Sequence, residues 1–183
     1  MVKKSGAYYY GQFDQDAMHG KGLMLLEDGS KYEGSFKMGI FYGTGKLFDA
    51  QENTLYEGSF IDGVREGFGK KTYSNGTFYE GEFKSNLENG QGVHTYPKLG
   101  RIKGTFIDGR LNGKGRWDKQ NGAYYEGDLI EKAADEIDAG DDDSEVDINS
   151  QRLWIPMKEG KGKEKTVKGA VYEGDFMNDL WHG

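Results

Sequence analysis

The chain has 183 residues, including 30 glycines and two prolines, with no cysteine and a formal net charge of −7. Without cysteine, neither disulfides nor thiolate metal sites can hold the fold. One acidic stretch accounts for the whole net negative charge, and the near-neutral remainder excludes attraction of nucleic acid by bulk charge. No apolar run approaches the roughly 18 residues of a membrane-spanning helix, and the first residues lack the apolar part of a signal peptide. We therefore expect a soluble, cytoplasmic protein.

Aromatic residues and glycines recur with a period of about 23 residues, which indicates a repeat architecture. Each repeat starts at an anchor, which in most repeats is the tyrosine of a Tyr-x-Gly-x-Phe block. A Gly-x-Gly sequence begins ten or eleven residues after each of the first five anchors. Turn sequences such as Asp28-Gly29 and Asn75-Gly76 then lead to the next anchor. The seven anchors are Tyr10, Tyr32, Tyr56, Tyr79, Ile102, Tyr125 and Tyr172.

The Tyr-x-Gly-x-Phe block has the two-residue period of a β-strand. Tyr32, Gly34 and Phe36 would lie on one face of the strand and Glu33 on the other. A glycine between two aromatic residues lets a ring from a neighbouring strand lie over the backbone. Each repeat is then one β-hairpin, which is marginal alone and must stack on its neighbours. We predict an all-β fold: one elongated, single-layer antiparallel β-meander over 1–183, with about six and a half stacked hairpin repeats.

An acidic stretch interrupts the sixth repeat. Residues 131–148 contain nine acids and one base. With so few apolar side chains to offset its ordering entropy, we predict that 131–153 is a disordered insertion in the loop of repeat six, either a solvated tether or a regulatory loop. Ser144 has a carboxylate three residues downstream and is a candidate site for an acidophilic kinase. The chain ends at Gly183 inside repeat seven, so we expect the natural protein to continue.

The third repeat carries the motif in its most complete form. It reads Tyr56-Glu57-Gly58-Ser59-Phe60-Ile61-Asp62-Gly63-Val64-Arg65-Glu66-Gly67-Phe68-Gly69. This pattern, which recurs over most of the chain, resembles the MORN (membrane occupation and recognition nexus) repeat. The resemblance implies a twisted, curved β-meander with an aromatic-lined groove, used as a scaffold or targeting module.

No residue arrangement points to catalysis. The Gly-x-Gly pairs lack the third glycine of a dinucleotide fingerprint, and no phosphate loop or Gly-x-Ser-x-Gly elbow occurs. His19 and His182 occupy equivalent slots many hairpins apart, which is unsuited to shared metal ligation. Asp141 starts an alternating acidic run like that of an EF-hand, but Val146 stands where the loop needs glycine. We predict that the protein is not an enzyme and has no cofactor and no metal site.

The leading functional hypothesis is a non-catalytic protein-interaction scaffold or targeting module, associated with the cytoskeleton or a motor protein. It would bind a peptide or helix of a partner in an aromatic-lined groove, because rigid aromatic side chains lose little entropy on contact. The candidate partner-binding residues are Leu26, Tyr56, Tyr73, Tyr79, Tyr96, Trp117 and Tyr125. The terminal repeats are also candidates for forming a homodimer.

Two alternatives stay open. One is a phosphoinositide or membrane-apposition module at the membrane periphery, with weak contact to anionic lipid because the body of the chain is nearly neutral. The other is a targeting domain of a larger enzyme whose catalytic part lies beyond Gly183. The basic cluster that would contact lipid consists of Lys158, Lys161, Lys163, Lys165 and Lys168.

Overall fold

The computed structural model describes residues 2–4, 7–51, 53–133 and 154–182. These residues form fifteen β-strands and no helix, so none of them belongs to a helix that could cross a membrane. The strands follow chain order in one antiparallel meander sheet, which confirms the predicted fold class. The strands are β1 Val2–Lys4, β2 Ala7–Asp14, β3 Ala17–Leu25, β4 Lys31–Lys37, β5 Ile40–Phe48, β6 Thr54–Ile61, β7 Val64–Thr72, β8 Phe78–Lys84, β9 Leu87–Tyr96, β10 Gly100–Ile107, β11 Arg110–Asp118, β12 Tyr124–Ala133, β13 Trp154–Lys165, β14 Val171–Met177 and β15 Leu180–His182.

The chain divides into two compact units, unit 1 (Met1–Gly92) and unit 2 (Val93–Gly183). In strands β2 to β8 of unit 1 and β10 to β14 of unit 2, one glycine per strand lies in register with a glycine of a neighbouring strand. These glycines form a row that crosses the strands at their middle. In unit 1 the row contains Gly11, Gly22, Gly34, Gly45, Gly58, Gly69 and Gly81. In unit 2 it contains Gly104, Gly115, Gly127, Gly162 and Gly174.

The anchor tyrosines cover this glycine row on one face, which we call the tyrosine face. The Tyr32 ring lies over Gly34 on its own strand and over Gly45 on the next strand, and it is 0% exposed. Its hydroxyl donates a hydrogen bond of 3.1 Å to the Ser35 carbonyl. A ring from a neighbouring strand, as predicted, therefore covers Gly45. For Gly34 the prediction was wrong, because the covering ring is two residues away on the same strand.

Phenylalanines link one repeat to the next on the tyrosine face. Phe60 meets Tyr56 of its own repeat edge-on at 5.1 Å and Tyr32 of the preceding repeat at 5.2 Å. Phe83 meets Tyr79 and Tyr56 in the same way. Such edge-to-face pairs add stability beyond the buried area. The core of unit 1 thus consists of aromatic rings packed against each other on one face of the sheet. These rings bury one another without a second layer of structure.

The first anchor is Tyr9 and not the predicted Tyr10. Tyr9 is 2% exposed and its hydroxyl donates to the Gln12 carbonyl at 2.8 Å, whereas Tyr10 is 44% exposed. The reason is the two-residue period: only the residue two positions before Gly11 shares its face of the strand. The first block therefore runs from Tyr9 to Phe13.

Repeat five replaces the tyrosine with aliphatic side chains. Its anchor Ile102 is buried but too short to reach across the glycines. A Cβ placed on Gly104 would lie 2.6 Å from Leu111 Cδ1, and one placed on Gly115 would lie 3.1 Å from Leu129 Cδ1. Two leucines therefore fill the space that one tyrosine ring fills elsewhere.

The sixth hairpin is longer than the others. Strand β12 continues to Ala133, and its residues Glu131 to Ala133 pair with Pro156, Ile155 and Trp154 of β13. The predicted insertion 131–153 is therefore wrong for its first three residues, which belong to the sheet. Glu131 is held there because its carboxylate accepts a 3.0 Å hydrogen bond from the Leu111 amide. Residues 134–153, with the predicted phosphorylation site Ser144, lie outside the described residues.

Candidate functional site

The opposite side of the sheet, which we call the charged face, carries the residue between each tyrosine and its glycine. In unit 1 these residues and their partners form a row of alternating charge across the strands. Lys46 Nζ lies 3.0 Å from Glu57 Oε1, and Lys70 Nζ lies 3.6 Å from Glu80 Oε1. Exposed pairs of this kind contribute about 0–1 kcal/mol each. The row consists of Glu33, Lys46, Glu57, Lys70 and Glu80.

A groove of about 1110 Å³ runs beside this row in unit 1, over the glycines. Its floor is the backbone of Gly22, Gly34, Gly45 and Gly58. A side chain at any of these four positions would point to the tyrosine face, so on the charged face their backbone is open to a ligand between the side chains of the flanking residues. The rest of the lining is Tyr10, Lys21, Leu23, Glu33, Thr44, Lys46, Phe48, Glu57, Ser59 and Phe68.

Apolar side chains stand around this groove in contact with water. Phe68 is 67% exposed, and Tyr10 is also exposed. Phe48 is half-buried, and the Lys31 ammonium lies 4.7 Å from the centre of its ring. Rigid aromatic side chains that are accessible beside a concave surface are typical of protein interfaces.

Unit 2 has a smaller groove of about 810 Å³ on its charged face. Its floor is again a glycine row, and Tyr124 is an aromatic residue in its lining. The guanidinium of Arg116 lies 4.2 Å from the Tyr124 ring centre and bonds Asp118 at 2.8 Å and Glu126 at 3.4 Å. The lining consists of Lys114, Gly115, Arg116, Tyr124, Glu126, Gly127, Lys161, Gly162, Lys163, Glu173 and Gly174.

Comparison with models of known protein families identifies the repeat. The MORN repeat model matches residues 9–31, 32–51, 56–78, 79–101, 103–124 and 172–183, which together are more than half of the chain. The chain belongs to the MORN repeat family. Repeats of this family commonly bind proteins or membranes. A comparison of the chain with curated proteins gave no match.

One MORN hairpin lies outside the matched segments but has the same geometry. Tyr125 of β12 is fully buried, and a Cβ on Gly127 or Gly162 would come within 2.5 Å of its hydroxyl oxygen. The hydroxyl donates to the Asp128 carbonyl at 3.0 Å. Strands β12 and β13 therefore form a MORN hairpin, with residues 134–153 between its two strands.

The anchor tyrosines do not form the partner-binding surface that the sequence predicted. Tyr56, Tyr79 and Tyr125 are each 0% exposed. The prediction was wrong for these three because phenylalanine rings cover them: Phe83 packs on both Tyr56 and Tyr79, and Phe176 packs on Tyr125. Burial raises the pKa of Tyr56 and Tyr125 to about 12, so these hydroxyls stay protonated at neutral pH and serve as donors to the backbone.

The other four predicted residues also lie outside both grooves. Trp117 and Tyr96 are buried; the Trp117 indole donates to the Leu99 carbonyl at 2.8 Å. Leu26 and Tyr73 are half-buried. The grooves lie on the opposite face. In the sequence they are marked by the residue between tyrosine and glycine, which is charged and not aromatic in most repeats.

The predicted lipid-binding lysines are largely engaged in ion pairs. Lys158 is 6% exposed, and its ammonium lies 3.0 Å from both carboxylate oxygens of Glu164. The prediction of lipid contact was wrong for Lys158, because it is buried. Lys161 pairs with Asp175 at 3.3 Å. Lys163 similarly pairs with Glu173, while Lys165 and Lys168 are exposed.

Glu164 is the centre of a buried network in unit 2. Besides Lys158, it accepts hydrogen bonds from Lys119 Nζ at 3.1 Å and from the Trp181 indole at 3.0 Å. Burial alone would raise the pKa of this carboxyl, but the hydrogen bonds from Trp181, Lys158 and Lys119 outweigh it and hold the pKa below its usual value. Among the described residues, no three His, Cys, Asp or Glu side chains form a group that could hold a metal ion.

Proposed function

We propose that the chain is a non-catalytic protein-binding module, and that the groove of unit 1 binds an α-helix of a partner protein. The observation that carries the proposal is the glycine floor of the groove with Phe68 and Tyr10 exposed beside it. A concave, largely preformed surface with rigid aromatic anchors has the features of an interface hot spot.

The backbone hydrogen bonds of the groove floor favour binding of a helix over binding of an extended peptide. The amide and carbonyl groups of the floor are already used in the antiparallel ladders that join Gly22, Gly34, Gly45 and Gly58. An extended peptide lying on this face would find few partners for its own backbone groups, and leaving them unpaired is costly. A helix satisfies its backbone bonds internally and needs only side-chain contacts.

The dimensions of the groove set the length of the helix. It extends from Tyr10 on β2 to Phe68 on β7, and six strands spaced about 4.8 Å apart span roughly 24 Å. A helix of about 16 residues has this length. The charges of the row alternate from strand to strand, at Glu33, Lys46 and Glu57. The strand spacing of about 4.8 Å is close to the pitch of an α-helix, about 5.4 Å. We therefore expect the partner helix to carry Lys and Glu alternately on successive turns.

A peptide selection on the full chain tests the proposal. A displayed library of helix-forming peptides of about 16 residues would be selected, and the binders measured by calorimetry. We expect binding to perturb the amide resonances of Gly34 and Gly45. We also expect Phe68→Ala to weaken binding by about tenfold or more.

Ile61→Ala is the matched control, because Ile61 is an exposed apolar residue of unit 1 that does not line the groove. This variant should leave the affinity of the selected peptides unchanged. Binders that remain extended in circular dichroism, or that are equally sensitive to Ile61→Ala and Phe68→Ala, would contradict a helix in this groove.

A further inference from the structure

One pair of residues on the charged face of unit 2 breaks the charge pattern of the sheet. The row there runs Lys103, Arg116, Glu126, Lys163 and Glu173, each in register with the next. From Arg116 onward, neighbours carry opposite charges, as they do in the row of unit 1. Lys103 and Arg116 instead carry the same charge. Like charges directly opposite each other destabilise a sheet unless acids compensate them.

The surroundings of this pair are strongly basic. Residues 98–119, which contain β10 and β11, hold seven bases and two acids. The charge of Arg116 is compensated by Asp118 and Glu126. Arg101, Lys103 and Lys114 are exposed and make no ion pair with any residue in the described part of the chain.

We propose that a basic patch, defined as Arg101, Lys103, Lys114 and Arg116, binds an Asp- and Glu-rich segment of a partner protein. A carboxylate between Lys103 and Arg116 would remove the repulsion between them. Charge-assisted hydrogen bonds to carboxylate are the strong kind, and the guanidinium of Arg101 can make two of them at once. This site is separate from the groove of unit 1 and does not rest on the helix proposed there.

The acids of the neighbouring strands favour a peptide over a membrane surface. Glu126 and Asp128 lie on β12, and Glu173 and Asp175 lie on β14, all on the same charged face. A planar anionic bilayer would meet these acids and the lysines of β13 that pair with two of them, Lys161 and Lys163, so this area would add little to the attraction of the basic patch. A linear peptide that follows β10 and β11 meets the bases and avoids the acids.

Fluorescence anisotropy with labelled deca-glutamate and the full chain tests this proposal. We expect binding at about 50 mM salt that weakens as salt screens the charges. The double variant Lys103→Gln, Lys114→Gln should lose at least about fivefold in affinity. The matched control is Lys70→Gln, Lys84→Gln, because these exposed lysines of unit 1 line neither groove. The control should change affinity by less than about twofold.

Three results would overturn the proposal. An equal loss of affinity in the control variant would mean that deca-glutamate senses only net charge. Phosphatidylserine vesicles that bind more tightly than the peptide, with the same dependence on Lys103 and Lys114, would make the ligand a membrane. In a third variant the acids of 131–148 are replaced by their amides. If the peptide binds only to this variant, the chain's own acidic stretch, rather than a partner, occupies the patch.

Discussion

Tyr32 covers Gly45 so closely that a Cβ on Gly45 would lie 2.3 Å from the tyrosine hydroxyl oxygen. The ring has little room to move, since Phe41 stacks on it at 3.8 Å and Phe36 and Phe60 meet it edge-on. Gly45 is not among the glycines with positive φ, so the need for glycine here is steric and not conformational. The position of the tyrosine ring therefore requires glycine at the positions that it covers.

Gly45→Ala should lower the free energy of unfolding by about 1–3 kcal/mol, because the added methyl overpacks the ring of Tyr32. Gly45→Ala should lower the free energy of unfolding by less when Tyr32 is replaced by isoleucine, the residue type of Ile102 in repeat five. Urea unfolding of the two single variants and the double variant gives the coupling energy. Additive effects of the two changes would show that the ring and the glycine do not constrain each other.

The adjacent tyrosines of repeat one provide a matched pair for testing the packing. Tyr9→Ala should cost about 3–5 kcal/mol, because it removes a buried ring that packs on Phe13 and Phe36. Tyr10→Ala should cost much less, since its side chain is exposed. Thermal unfolding of both variants checks this, and equal losses would place both rings in the core.

The period of the sequence was enough to predict the hairpins, their antiparallel order and the face shared by Tyr32, Gly34 and Phe36. The candidate site could not be predicted in the same way. Exposure of an aromatic residue depends on rings from adjacent hairpins, which bury Tyr56 while Phe68 stays in water. The burial of Lys158 likewise depends on the long sixth hairpin, which no local pattern in the sequence reveals.

The buried tyrosines make the protein sensitive to alkali. Burial raises the pKa of Tyr32 and Tyr56 from the ordinary value of 10.0 to about 12. A group whose pKa is higher in the folded state stabilises it fully below its unfolded pKa, and this contribution is lost as pH rises through the folded value. We therefore expect stability to fall between pH 10 and about 12. Tyrosinate absorbance should show these two side chains ionising together with unfolding; ionisation of both rings well before any loss of β-structure would contradict their burial.

The ion pair of Lys158 and Glu164 gives the last prediction. Glu164→Leu should cost about 3–5 kcal/mol, because it leaves the buried ammonium of Lys158 without its carboxylate. The double variant Lys158→Met, Glu164→Leu should recover most of this loss, since apolar side chains of similar size avoid the desolvation of two charges. All three tryptophans lie in unit 2, so their fluorescence in urea reports its unfolding.

The same ion pair should make unit 2 sensitive to acid. Because the pKa of Glu164 is lowered in the folded state, its contribution to stability is present above the ordinary glutamate pKa and is lost as pH falls through the lowered value. The wild-type chain should therefore lose stability below about pH 4, and the double variant, which has no carboxyl at this position, should lose less. If the single and double variants are equally unstable at neutral pH, the cost comes from lost packing around Glu164 and not from an unpaired charge on Lys158.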